Sequence, residues 1–133
     1  MPVAKVYGLP EMKEEALVEL YETILTAIVS VKELNLRESD ITVFFPTDMM
    51  KKGLGDEIII FVDGLFEKPE RTKKVKDRLA QTIVAFTRFF FSRTGKKANI
   101  KEPKLVECFV RSFNPDSPDT GFDSSERKVS TIG

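Results

Sequence analysis

The chain begins MPVAKVYGLP, and Pro2 admits two readings. Proline lacks a backbone N–H and commonly opens a strand or sits on a sheet edge. It can also carry a secondary amine into an active site. Other reactive groups are few. There is no histidine, and the one cysteine, Cys108, has no partner for a disulfide or a zinc site, so an inert buried thiol is expected. The cations that could meet an anion are scattered: Lys5 near the start, Lys32 and Arg37 in a connecting stretch, and Arg111 on the same side of the last apolar segment as Phe109. Lys51-Lys52-Gly53-Leu54-Gly55 places two lysines beside a GxG, but it precedes a strand-like run instead of following one and opening a helix. That order argues against a phosphate loop. Arg71, Lys73, Lys74, Lys76 and Arg78, interrupted by Glu70 and Asp77, are expected on the solvated face of a helix.

Composition narrows the setting. A chain of 133 residues is long enough to bury a core and short enough to be one domain, expected over 1–122 with a C-terminal tail at 123–133. Lys plus Arg and Asp plus Glu number 21 each, so no global field favours nucleic acid or an anionic membrane as partner. The apolar run at 58–62 is too short to span a bilayer, and the N-terminus lacks a basic region followed by an apolar signal core. A soluble cytoplasmic protein in a reducing compartment is expected, with no metal or other cofactor.

The elements that must position these groups follow from periodicity. Residues 2–7 alternate and end at Gly8-Leu9-Pro10, a strand and a turn. From Glu11 the apolar spacing becomes three and four, through Leu17, Leu20, Tyr21, Ile24, Ala27, Ile28 and Val31, with acids in the early turns where the helix dipole favours them. A second strand is expected at 41–45. The plan then repeats: a strand at 57–62, a helical stripe through Val75, Leu79, Ile83, Phe86 and Phe90, and a strand at 105–111. The two βαβ units span 2–46 and 56–112, and Val6-Tyr7-Gly8-Leu9 is echoed by Val62-Asp63-Gly64-Leu65. Right-handed crossovers then give an α+β fold, a four-stranded mixed sheet with two helices on one face. The third strand is apolar on both its faces, which two helices cannot cover. A homo-oligomer that buries the helix-free face is therefore expected, with Phe89 and Phe91 also available to another subunit.

A chain of two βαβ units with proline immediately after the first methionine resembles the tautomerase superfamily, which includes macrophage migration inhibitory factor and 5-carboxymethyl-2-hydroxymuconate isomerase. The resemblance runs from Pro2 to about Phe122. Phe45-Pro46-Thr47-Asp48-Met49-Met50 with Gly53-Leu54-Gly55 looks like the link between units, and Phe113-Asn114-Pro115 with Gly121-Phe122 like the segment after the last strand.

The resemblance implies a homotrimer and a catalytic role for Pro2. Once Met1 is removed, its secondary amine, kept neutral by burial, takes a proton from carbon beside a carbonyl and returns it elsewhere. Arginines that the family uses after the first strand and at the second are absent, Pro10-Glu11 and Ile41-Thr42 standing there. Arg111 and Phe109 fall where longer members place pocket residues on a neighbouring subunit, and Arg111 is the favoured carboxylate binder. Lys32, Arg37 and Lys5 are further candidates for binding substrate. Two readings follow: a tautomerase or isomerase of an enol or 2-oxo acid with Pro2 as base, or a catalytically degenerate oligomer of the same fold acting as a binding or structural protein.

Overall fold

Two apolar periodicities, repeated in tandem, generate the architecture. In the computed structural model, which describes residues 2–116 and Gly121, strand β1 (Val3–Tyr7) leads to helix α1 (Glu14–Ser30) and strand β2 (Thr42–Phe44). Strand β3 (Glu57–Phe66), helix α2 (Lys73–Phe90) and strand β4 (Leu105–Phe113) repeat the unit. Met1, Phe122 and the tail at 123–133 lie outside the described residues. The strands form one mixed sheet in the order β2-β1-β3-β4, with parallel outer pairs and an antiparallel central pair.

The two units meet as the echo between them implies. The offset that aligns Val6-Tyr7-Gly8-Leu9 with Val62-Asp63-Gly64-Leu65 also aligns Lys5 with Phe61. These two residues are direct partners across β1 and β3, so the local twofold axis passes between them. The echoed glycines nevertheless do different work. Gly8, at φ +85°, ends β1, where a Cβ would stand 2.2 Å from the Glu57 carbonyl oxygen. Gly64, at φ +77°, lies inside β3 at a bulge against β4, and the strand continues to Phe66. The bulge resets the alternation, so that Ile58, Ile60, Val62 and then Leu65 face inward.

Both helices pack on one face of the sheet. Ala4, Val6, Ile58 and Ile60 meet Leu20, Ile24, Ile28, Leu79 and Ile83 in a single dry core. α1 begins at Glu14 and not at Glu11, since the backbone is still extended at Lys13, which caps the helix. α2 begins behind Thr72, whose hydroxyl accepts the Val75 N–H at 3.3 Å. Its last turn widens into a π-helical turn over Phe91–Gly95. That widening swings Phe91 into the core edge-to-face with Phe90, so Phe91 is not available to another subunit as expected; Phe89 remains exposed, with Arg93 over its ring. Among the described residues no helix is long and apolar enough to cross a membrane.

Arg71 corrects a second expectation. It precedes the helix and is only 7% exposed. Its guanidinium donates to the Leu34 carbonyl at 2.7 Å and the Phe66 carbonyl at 2.8 Å, clipping the connection before β2 to the end of β3. Arg78, in contrast, reaches the Glu33 carboxylate from an exposed position on α2.

Candidate active site

Pro2 enters the fold as a buried residue immediately before β1. Its carbonyl accepts the Thr42 N–H at 3.2 Å, which ties it to the start of β2. On the other side Val3 is paired with Asp63 of β3. Pro2 therefore sits at the end of the sheet where β1 and β2 begin and β3 approaches its bulge.

Two of the other candidates, Arg111 and Lys5, meet at one acid, and a third, Phe109, stacks on the ring beneath Arg111. Asp63 is half-buried on the helix-free face and accepts a two-pronged pair from Arg111, Nη2 to Oδ2 at 2.8 Å and Nε to Oδ1 at 2.5 Å. Lys5 Nζ lies 3.4 Å from the same carboxylate. These donors, Arg111 foremost and Lys5 after it, hold the Asp63 carboxyl below its ordinary pKa, against the opposing effect of burial. The Arg111 guanidinium lies 4.6 Å over the ring of Phe61, and Phe61 stacks on Phe109 at 5.5 Å between centroids. Tyr7 meets Phe61 edge-on. A cation stacked on an aromatic platform results, two strands away from Val3.

Lys32 and Arg37 are not brought into this cluster. Both are exposed on the connection that delivers Thr42 to Pro2, and Arg37 is committed to Asp40, whose carboxylate accepts its backbone N–H at 2.8 Å and its Nη2 at 3.5 Å. Cys108 lies at the inner face of β4, and burial pushes its thiol up to about 12, which keeps it protonated and unreactive at neutral pH.

Sequence reasoning missed two contributors. Asp63 was legible as an acid directly after the apolar run at 58–62, but the following glycine made it read as a turn. The lysines of the first turns of α2 read as solvated, yet Lys76 Nζ lies 3.2 Å from Ser112 Oγ, next to Arg111 on β4. A cleft of about 550 Å³ lies along β4 here, with Lys73, Lys76, Asp77 and Ala80 on one wall and Phe61, Phe109 and Arg111 on the other. Lys73 is paired with Asp77 at 3.1 Å. The arrangement can hold a small anion with a planar apolar body.

A tandem βαβ sheet bearing a buried proline at its head and cations gathered at the same end defines a class of small α+β protein. No protein-family model and no curated protein matches the sequence. Solved structures do match. A fused 4-OT assembled as an asymmetric trimer superposes with a TM-score of 0.63 at 11% identity, over 93% of this chain and 96% of that one. An FG41 malonate semialdehyde decarboxylase inhibited by 3-bromopropiolate gives 0.57 at 14%, over 93% and 92%. N1, a member of the cis-3-chloroacrylic acid dehalogenase family, gives 0.60 at 14%, over 86% and 76%. The chain has the tautomerase-superfamily fold, the one its doubled βαβ pattern resembles.

Proposed function

We propose that the chain is a cytoplasmic tautomerase or isomerase of an enol or 2-oxo acid, working as a homotrimer, with Pro2 as general base once Met1 is removed. An ordinary α-amino group titrates near about 7.7 to 8.0, and burial lowers that value by disfavouring the charged form. A neutral Pro2 amine takes the proton from carbon beside the substrate carbonyl and delivers it to the far end of the enolate. Arg111, with Lys76 beside it, holds the substrate carboxylate, Lys5 borders the pocket, and Phe109 packs against the substrate body. The observation that carries this reading is the gathering of Lys5, Arg111 and Lys76 at the end of the sheet where Pro2 opens β1. The fold neighbours support this class of chemistry, since their own names include a decarboxylase and a dehalogenase-family member.

Intact mass of protein from the native host is expected to lack Met1. Ketonisation of phenylenolpyruvate is then expected, with Pro2→Ala lowering kcat/KM by about 100-fold or more. Equal rates for wild type and Pro2→Ala, or a retained Met1, would overturn the enzyme. The second reading, a non-catalytic oligomer, is favoured by one observation, that Asp63 already neutralises Arg111.

A further inference from the structure

A second cavity lies beyond the end of β1 opposite Pro2 and takes no part in the chemistry above. It holds about 420 Å³ between the turn after β1 and the link that follows β2, and Leu9, Met12, Leu17, Phe45, Pro46 and Leu54 give it an apolar lining. An apolar lining around a volume of about 300 to 1,000 Å³ is the usual form of a small-molecule pocket. The charged side chains at this cavity are already engaged. Glu11 accepts a hydrogen bond from the Lys51 ammonium at 2.8 Å, and the Asp48 carboxylate accepts the backbone N–H groups of Met50 and Lys52, each at 3.0 Å. Among the described residues Thr47 supplies the one uncharged polar side chain of the lining. Water in such a space finds few partners, and its displacement by an apolar body is favourable.

The link crosses this cavity as a strap. Its base is fixed where the Gly55 N–H donates to the Gly8 carbonyl at 2.8 Å, and it lies so close to the turn that a Cβ on Gly55 would stand 3.3 Å from the Pro10 Cβ. Its tip is held by the Lys51–Glu11 pair. Lys51 has φ +54°, a left-handed conformation that suits glycine and strains a lysine. A lysine kept there is explained by what its ammonium does, which is to tie the link to the turn at the mouth of the cavity. We propose that this cavity binds a small neutral ligand, an aromatic or branched apolar body with one hydroxyl or carbonyl for Thr47, and that the Lys51–Glu11 pair is its latch. A charged ligand has to displace a partner from a contact already made, whereas a neutral one leaves every charge paired. Both members of the latch are exposed, so water competes with it and it opens readily. Gly53, at φ +71° with open space around it, supplies the bend between the held tip and the fixed base. The site is separate from Pro2 and stands whether or not that amine is catalytic.

The test follows the methionine methyls of the full-length chain, labelled with carbon-13, while neutral 2-naphthol or anionic 2-naphthoate is added at neutral pH. Met12 lines the cavity, whereas Met49 and Met50 are exposed and outside its lining. A saturable shift of the Met12 methyl is expected with 2-naphthol, and 2-naphthoate is expected to bind about tenfold or more weakly. Leu54→Trp, which fills the cavity from the link, is expected to abolish the shift, with thermal melting confirming that the variant is folded. Lys51→Gly suits the left-handed backbone, and it is expected to leave melting unchanged or raised while speeding probe exchange about fivefold or more. A Met12 methyl unmoved by about a millimolar 2-naphthol, below the range of a weak specific site, would overturn the cavity as a ligand site in the wild-type chain itself. So would an equal shift in folded Leu54→Trp, or shifts of Met49 and Met50 that never saturate. Equal or tighter binding of 2-naphthoate would overturn the neutral class, and unchanged exchange in Lys51→Gly would overturn the latch.

Discussion

The two faces of the sheet obey different rules. The covered face is uniform: Ala4, Val6, Ile58, Ile60 and Val62 are essentially inaccessible and cluster with apolar residues of α1 and α2. The helix-free face alternates acids, rings and cations within the same strands, and most of its side chains are half-buried or exposed. One face therefore makes the chain fold, while the other has its stability left to claim from a ligand or a neighbour. The difference teaches where substitutions will be felt, and in which measurement.

The sharpest way to break the contrast is to truncate equivalent positions on each side. Ile60→Ala removes a fully buried side chain and is expected to cost about 2 to 5 kcal/mol in denaturant unfolding. Phe109→Ala, on the open side, is expected to cost the single chain about 1 kcal/mol, because nearly half the ring is already in water, and to act mainly on association. Comparable losses in folding for both would mean that the helix-free face is already filled in the single chain.

Arg71 probes the border of the covered face. Arg71→Met keeps much of the buried stem but leaves the Leu34 and Phe66 carbonyls without their donor, an expected cost of about 1 to 3 kcal/mol in the same experiment. A truly solvated arginine would cost nothing measurable. The smallest effect belongs to Asp63. Its folded pKa is depressed, so its contribution is present above the unfolded carboxylate value of about 3.9 and is lost as pH falls through the folded value. Arg111 is largely exposed and screened, so Asp63→Asn is expected to remove no more than about 1 kcal/mol at pH 7. The wild-type advantage over that variant should shrink in melts run below about pH 4.

Much of the fold was legible because it depends on local period. Valine-rich alternation before Gly8, the three-and-four spacing through Leu20 and Ile28, and the repeat of both after Glu57 give strand, helix and tandem unit without any long-range information. Where the reading was off, a tertiary contact had overruled local pattern. Only three residues of β2 pair, because it is an edge strand with β1 as its one neighbour and it leaves the sheet after Phe44, ahead of Pro46. β3 outruns its expected end because the bulge at Asp63-Gly64 lets it continue beside β4 as far as Phe66. Phe91 is inside because the helix widens beyond Phe90.

The candidate site was legible only in part. Pro2, Lys5, Phe109 and Arg111 could be named from residue type and strand parity, since parity alone decides which side chains share a face. By itself the sequence determined the doubled βαβ unit, the apolar inner face and the residues pointing away from it, because period and parity are properties of consecutive residues. Only the tertiary structure decided that Asp63 gathers Arg111 and Lys5 and that Arg71 is a buried clip. Each of those depends on register between strands or on a loop's return, and hydrogen bonds and charges act over a few ångströms of space, however many residues of chain lie between.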